Sequence, residues 1–153
     1  MDKENILMRI QDCGIVAVVR AESADKAERI VDACMEGGVA AIELTFSVPH
    51  ADRVIETLSY KYDPKDIILG AGTVMDAATA RIAMLSGAQY IVSPYLDLET
   101  LRMCNRYRVP MMPGVMSVRE AVTAMENGAD ILKIFPGDLF GPKIIKDILG
   151  PIP

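Results

Sequence analysis

The 153-residue sequence predicts an α/β protein of the (β/α)8, TIM-barrel type, with one domain over residues 1–153. Three observations lead to this fold class. Short aliphatic runs alternate with segments of helical period, several helical segments end at a glycine, and three of the strands carry a charged residue. Alternating strands and helices indicate a parallel sheet with right-handed crossovers.

The aliphatic runs define six strands in order along the chain. They are expected at Ile15–Val19, Ala40–Phe46, Ile67–Leu69, Gln89–Ser93, Val109–Met112 and Asp130–Phe135. The clearest helix is Ala24–Glu36, where apolar residues recur at intervals of three and four positions. Asp76 and Asp97 are typical helix N-caps, and Ser117 with Glu120 predicts a capping box.

Three helices are predicted to end in the same way before a strand. Gly37 and Gly38, Gly87, and Gly128 each stand where a helix needs a residue in a left-handed or otherwise permissive conformation. The resulting βα unit repeats at roughly 21 to 27 residues. No Pro-rich or Ser-rich linker interrupts the repeat, which favours a single domain.

Side-chain alternation decides between a barrel and an open doubly wound sheet. Length alone favours the open sheet, because a closed barrel usually needs about 250 residues. In the second strand, however, Glu43 shares one face with Ala41 and Thr45, while Ile42 and Leu44 share the other. Arg20 and Lys133 similarly interrupt the first and sixth strands. One apolar face and one face with a charge near its carboxyl end are typical of a barrel interior with a polar mouth.

Composition and charge exclude several classes of function. Sixteen Lys and Arg against 21 Asp and Glu give a net charge of −5, so we expect no nucleic-acid partner. The longest apolar runs, such as Gly14–Val19, are too short to cross a bilayer. The amino terminus has no signal-peptide pattern, and Cys13, Cys34 and Cys104 fit neither a disulfide framework nor a metal site. We therefore expect a cytoplasmic protein with reduced thiols and without a membrane partner.

Lys133 is the most informative candidate for chemistry. An ammonium among Leu132, Ile134 and Phe135 is costly to desolvate, and a neutral amine there could form a Schiff base with a carbonyl substrate. Glu43 is then the candidate general acid and base. The alternative is a structural ion pair between Lys133 and Glu43.

Anion binding has two further candidates at the predicted mouth. Arg20 could bind a carboxylate or phosphate in bidentate fashion, although a solvated charge is an equal alternative. The segment Gly70–Thr73 follows the predicted third strand, and its backbone N–H groups could face an anion, with a plain turn as the alternative. Ser93–Pro94 and Pro113–Gly114 are interpreted as loops that shape the same end of the sheet.

Three segments together resemble the KDPG/KHG aldolase family, which comprises 2-keto-3-deoxy-6-phosphogluconate and 4-hydroxy-2-oxoglutarate aldolases. Gly38–Thr45 (GVAAIELT) resembles the family motif around the catalytic Glu, and Gly70–Val74 (GAGTV) resembles its pyruvate-carboxylate loop. Gly128–Gly137 (GADILKIFPG) resembles the motif around the Schiff-base Lys and is the most specific of the three. The resemblance runs from about residue 15 to the end of the chain.

The resemblance implies a class I aldolase on a (β/α)8 barrel, typically a homotrimer. It implies a Schiff base between Lys133 and the C2 keto carbon of a small 2-keto acid, proton transfer by Glu43, and a substrate carboxylate held by Thr73. The products are pyruvate with glyceraldehyde 3-phosphate or glyoxylate, and no metal or organic cofactor is required. Many members carry an Arg four residues after the catalytic Glu, where this chain has Ser47, so Arg20 is a candidate substitute.

Other hypotheses stay open at this point. Another phosphosugar barrel, such as an isomerase or decarboxylase, is the first. A flavodoxin-like binding domain is the second, although it would need acidic residues or a phosphate loop after the first strand, where Arg20–Ser23 has neither. A catalytically incomplete fragment is the third.

The number of predicted units motivates the hypothesis of a fragment. Six units end with a helix over Lys143–Leu149, and two more would bring the chain to roughly 195 to 207 residues, the lower limit for a barrel. The sequence thus predicts six of eight βα units, with unpaired edges at the first and sixth strands and little or no activity toward a phosphorylated substrate.

Overall fold

Strands and helices alternate along residues 2–152, the part of the chain that the computed structural model describes. The strands are β1 (Val16–Val19), β2 (Ala41–Thr45), β3 (Ile68–Gly72), β4 (Tyr90–Val92), β5 (Met111–Met112), β6 (Gly114–Val115) and β7 (Lys133–Ile134). The helices are α1 (Lys3–Cys13), α2 (Ala24–Glu36), α3 (Ala51–Lys61), α4 (Ala77–Leu85), α5 (Leu98–Arg106), α6 (Val118–Glu126), α7 (Gly137–Phe140) and α8 (Lys143–Leu149). None of these helices is long and apolar enough to cross a membrane.

All paired strands are parallel, and within each sheet a strand pairs with the one next to it in the chain. One sheet has the order β1-β2-β3-β4-β5, and a second pairs β6 with β7. Only Pro113 separates β5 from β6, and its carbonyl accepts a hydrogen bond from the Lys133 N–H at 3.0 Å. A doubly wound sheet would place β1 in its interior, whereas here β1 lies at an edge. The order is that of a TIM-barrel-type α/β fold, and it excludes the flavodoxin-like alternative.

The predicted division of β2 into two faces is confirmed. Ile42 and Leu44 pack into the main apolar cluster with Ile55 and Leu58 of α3. The opposite face of the sheet, called here the inner face, contributes a second cluster that α1 covers at the amino-terminal ends of the strands. This cluster comprises Ile6, Ile10, Ala41, Ile68, Tyr90, Val92 and Met112. The inner face is therefore apolar near the amino-terminal ends of the strands. Polar groups can then lie on this face near the carboxyl ends of the strands.

Most local helix signals act as predicted. Helix α2 has the predicted bounds, and Ser117 and Glu120 form a capping box at the start of α6. Asp76 and Asp97 accept the backbone N–H groups of the third helical residue at 2.7 and 2.8 Å. At the helix ends Gly38, Gly87 and Gly128 have φ of 83°, 107° and 86°, conformations that residues with a Cβ rarely adopt.

Three strand boundaries differ from the prediction. β3 does not end at Leu69 but continues through Gly72, so the glycines lie within the sheet. The fifth, predicted at Val109–Met112, begins only at Met111, and a further short strand, Gly114–Val115, follows Pro113, which has no N–H to donate to a ladder. The sixth is reduced to Lys133–Ile134, which pairs with one neighbour only.

Candidate active site

Glu43 lies at the centre of the inner face, near the carboxyl ends of the strands. It is opposite Val18 of β1 and Gly70 of β3, and only 4% of its surface is exposed. Burial raises the pKa of the Glu43 carboxyl, and the positive charges of Lys133 and Arg20 act in the opposite direction. The cause of the raised pKa is therefore desolvation and not the charged neighbours.

The two glycines of β3 provide space on the inner face. A Cβ atom on Gly72 would lie 1.6 Å from Oε1 of Glu43, and one on Gly70 would lie 2.2 Å from Cζ of Tyr90. The Gly72 carbonyl accepts the N–H of Phe46 at 2.8 Å, as in an ordinary parallel ladder. The prediction that Gly70–Thr73 forms a turn with N–H groups facing an anion was therefore wrong for the glycines. They make room for a carboxylate and a phenol ring.

Lys133 extends from β7 on the same face and is half-buried. Its Nζ lies 5.2 Å from the centroid of the Phe135 ring, which is itself 43% exposed. Among residues 2–152, Lys133 forms no ion pair within 4.0 Å, although its charge acts on Glu43. Glu43 and Lys133 therefore face the same space but do not contact each other across it. The alternative of a structural ion pair between them does not agree with this geometry.

Thr73 follows β3 directly and has a left-handed backbone with φ of 55°. A β-branched residue in this region is a genuine outlier. Such strain concentrates at functional sites, where the surrounding structure enforces it. Thr73 lies two residues after Ala71 and next to Gly72, at the same end of the sheet as Glu43. The backbone thus places Thr73 at the mouth.

Arg20 follows the last residue of β1 and is exposed. Its charge lowers the pKa of Glu43, so it lies on the same side of the sheet as the carboxyl. Ser47, at the position where the aldolase motif often has Arg, donates its hydroxyl hydrogen bond to Thr45 Oγ1 at 3.0 Å. The mouth thus combines the Arg20 guanidinium with the hydroxyl groups of Ser47 and Thr45.

The loops after β4 and around β6 are packed against each other. Ser93 is buried, and a Cβ on Gly114 would lie 2.1 Å from the backbone carbonyl of Pro94. The interpretation of these segments as loops that shape the mouth agrees with this contact. Sequence reasoning missed Tyr90, because its place beside Glu43 depends on the strand register.

The opposite end of the sheet carries a separate groove. Tyr62, Tyr107 and Arg108 line it together with Ile6 of α1. It contains none of the predicted site residues, and it lies at the amino-terminal ends of the strands, where barrel enzymes do not place their chemistry. Within residues 2–152, no group of three His, Cys, Asp or Glu side chains could hold a metal ion.

Comparison with known proteins gives concordant results. A family model described as "KDPG and KHG aldolase" matches residues 6–153. A 2-dehydro-3-deoxy-6-phosphogalactonate aldolase of Escherichia coli is 34% identical over 139 residues, which are 91% of this chain and 67% of that protein.

Two solved structures have a similar fold. A KDPG aldolase from Legionella pneumophila, with pyruvate captured as a covalent carbinolamine, has a TM-score of 0.83 at 28% identity and matches 90% of this chain and 66% of that one. A cube-shaped protein cage designed by fusing symmetric oligomeric domains has a TM-score of 0.85 at 33% identity and matches 90% of this chain and 51% of that one.

The curated relatives are longer than this chain. It spans between 56% and 69% of the length of those that it matches, which are aldolases named for 2-dehydro-3-deoxy-phosphogluconate, for 2-dehydro-3-deoxy-6-phosphogalactonate or for both KHG and KDPG.

Proposed function

The chain belongs to the KDPG and KHG aldolase family. We propose that it carries the Schiff-base lysine and the general acid and base of a class I aldolase site. The reaction is the reversible cleavage of 2-keto-3-deoxy-6-phosphogluconate to pyruvate and glyceraldehyde 3-phosphate, of 4-hydroxy-2-oxoglutarate to pyruvate and glyoxylate, or of both. The observation that carries the proposal is the pairing of a buried Glu43 with a half-buried Lys133 across the mouth, each within a family motif.

Lys133 is the proposed nucleophile. Its neutral amine attacks the C2 keto carbon of the substrate, and loss of water gives an iminium. The iminium accepts the electron pair of the C3–C4 bond when that bond breaks, so the aldehyde leaves and an enamine forms. Protonation at C3 and hydrolysis then release pyruvate and regenerate the amine. The iminium is itself the electron sink, and the proposed mechanism uses no metal and no organic cofactor.

Glu43 is the proposed general acid and base. As a base it accepts the proton of the C4 hydroxyl during cleavage, and as an acid it returns a proton to C3 of the enamine. A carboxyl with an ordinary pKa would be a poor acid near neutral pH. Burial raises the pKa of Glu43, which supports transfer in both directions.

Thr73 and Arg20 are the proposed substrate-binding residues. The strained backbone at Thr73 supports a hydroxyl held in one place for the carboxylate of pyruvate. Arg20 is exposed and its charge reaches the mouth, which supports a role toward the anionic distal part of the substrate.

The distal part of the substrate could also be the galactonate epimer. A relative named for 2-dehydro-3-deoxy-6-phosphogalactonate is 34% identical. Ser47 stands where the family motif often has Arg, and its hydroxyl is bonded to that of Thr45. A neutral hydroxyl pair in place of a guanidinium changes recognition around C4 and beyond, so both epimers belong in the substrate test.

We further propose that the 1–153 chain supplies six of the eight βα units of one barrel domain. The sequential strand order, the single partners of β1 and β7, and the greater length of the relatives support this. The inner-face residues Val18 and Phe135, near those two edges, are 49% and 43% exposed. Assembly as a homotrimer is supported by the family resemblance, and a cytoplasmic location by the free thiols.

The experiment is reductive trapping in the protein expressed from its complete gene. Incubation with pyruvate and borohydride should add pyruvate, as its reduced secondary amine, to the peptide that contains Lys133. Lys133→Met should abolish the adduct, and Lys146→Met on α8 is the matched control that should retain it. An adduct on Lys143 or Lys146 of the unmodified protein, or none at all, would contradict the proposal. Cleavage rates for the two phosphorylated epimers and for 4-hydroxy-2-oxoglutarate then identify the preferred substrate.

A further inference from the structure

Tyr90 is a buried phenol beside the candidate site that the proposed mechanism leaves without a role. It lies on the inner face of β4 and has no exposed surface. Its Oη is the one buried side-chain nitrogen or oxygen atom among residues 2–152 that has no hydrogen-bond partner. An unpaired hydroxyl in a protein interior is costly, and native proteins nearly always provide a partner for it, including ordered water.

The strand register places Tyr90 next to Glu43. Gly70 is opposite Glu43 on one side and opposite Tyr90 on the other, so the three residues form one row across β2, β3 and β4. The end of the Tyr90 ring occupies the space above Gly70, and the Glu43 carboxyl occupies the space above Gly72. The Tyr90 ring therefore fills the space over Gly70, and the Glu43 carboxyl lies two residues further along β3, nearer the mouth.

The distance between the space over Gly70, which holds the end of the Tyr90 ring, and the space over Gly72, which holds the Glu43 carboxyl, suits a hydrogen-bonded bridge. Successive residues on one face of a strand are about 6.6 Å apart. A bridge of two hydrogen bonds through one water spans about 5.6 Å. Among residues 2–152, Lys133 and Arg20 act on the Glu43 carboxylate through their charge and not through a hydrogen bond, and Tyr90 Oη has no hydrogen-bond partner.

We propose that the Tyr90 hydroxyl donates a hydrogen bond to one buried water that in turn donates to the Glu43 carboxylate, and so positions that carboxylate and stabilises its ionised form. Tyr90 is then a positioning residue. Its role as the partner of a general base rests on the proposed function, whereas the contact itself does not.

The charged surroundings keep Tyr90 in the donor state. Burial raises the pKa of Tyr90 far above its ordinary value, and the negative charge of the Glu43 carboxylate raises it further. Cys13, at the end of α1, donates its S–H to the carbonyl of Ile15 at 3.2 Å and is not competing for the phenol proton. Lys133 and Arg20 are the charged groups that face Glu43 from the other elements. A neutral O–H donor toward a carboxylate lowers the pKa of that carboxylate.

The test is the titration of Glu43 in the full-length protein, followed by NMR of carboxyl-¹³C glutamate, with Glu43→Gln identifying the resonance. Tyr90→Phe removes only the hydroxyl and should raise the Glu43 midpoint by about 0.5 to 1 unit. Tyr60→Phe, at a position that is 83% exposed, is the matched control and should leave the midpoint unchanged. An unchanged midpoint in Tyr90→Phe overturns the proposal.

A second measurement needs no change at Tyr90. With ζ-¹³C tyrosine, one tyrosine resonance should shift through the Glu43 midpoint, and this shift should be absent in Glu43→Gln. If Tyr90→Phe fails to fold, a Tyr90 resonance that ignores the Glu43 midpoint overturns the proposal instead. Reductive trapping on Lys133 separates the two proposals, because its loss contradicts the aldolase reaction and leaves the coupling of Tyr90 to Glu43 intact.

Discussion

Replacing Gly72 by Ala tests whether the empty space on β3 positions the proposed general base. The new Cβ would lie 1.6 Å from Oε1, 2.2 Å from Cδ and 2.5 Å from Cγ of Glu43. All three atoms belong to the outer part of a side chain, so the backbone of β2 need not move, but the carboxyl must leave its position. The backbone of Gly72 is not left-handed, and alanine can adopt it without strain.

The expected cost in stability is modest. Glu43 is buried, and overpacking a buried position costs about 1 to 3 kcal/mol. Gly→Ala at a compatible position contributes about 0.4 to 1 kcal/mol in the opposite direction through the unfolded state. The net loss in the free energy of unfolding is then between about 0 and 2.6 kcal/mol. The loss of turnover should be much larger, on the order of 100-fold or more, which is the scale for a displaced general acid or base.

The assay compares urea unfolding and pyruvate-forming turnover in the full-length protein. Gly37→Ala is the matched control, since its Cβ would be 3.4 Å or more from any neighbour. A double-mutant cycle with Glu43→Ala isolates the clash, and in that background Gly72→Ala should cost nothing. Gly72→Ala that retains wild-type turnover, or that costs the same stability with and without the Glu43 side chain, would show that this reasoning is wrong.

Two further predictions concern stability. Burial raises the pKa of Glu43 above its unfolded value, so this carboxyl contributes full stability below about pH 4.5 and loses part of it as the pH rises through the folded-state pKa. Glu43→Gln should therefore raise the melting temperature at pH 8 and leave it nearly unchanged at pH 4, and an equal effect at both would contradict the assigned cause. Asp97 accepts hydrogen bonds from the backbone N–H and the hydroxyl of buried Thr100, so Asp97→Ala should lower the free energy of unfolding by about 1 kcal/mol. Urea unfolding would measure this against Glu99→Ala in the same turn, and an equal cost for both variants would contradict the capping role.

The parts of the fold that the sequence predicted well depend on local rules. The face division of β2, the bounds of α2 and the capping box at Ser117 follow from periodicity and from short-range hydrogen bonding. The parts that it predicted poorly depend on neighbours distant in the chain. The length of β3 is set by pairing with β2 through Gly72, and no pattern within the glycine-rich segment itself indicates that partner.

The candidate site shows the same division. Glu43 and Lys133 could be selected from the sequence because a charge on an apolar strand is conspicuous. Tyr90 could not be selected in this way, since an aromatic residue at the start of a strand is ordinary core material. Its significance comes from the register, which places it across one glycine from Glu43.

The positions without a side chain are as important to the site as those with one. Sequence reasoning assigns glycine to turns, because its backbone freedom is its best-known property. On the inner face of a parallel sheet, where neighbouring strands are about 4.8 Å apart, a missing Cβ provides room for a side chain from the next strand. Gly70 accommodates the ring of Tyr90, which fills the space on the amino-terminal side of the Glu43 carboxyl. Gly72 accommodates the Glu43 carboxyl itself. Two absent side chains on β3 therefore determine how high above the apolar layer Glu43 places its carboxylate, and hence that it faces the same space as Lys133.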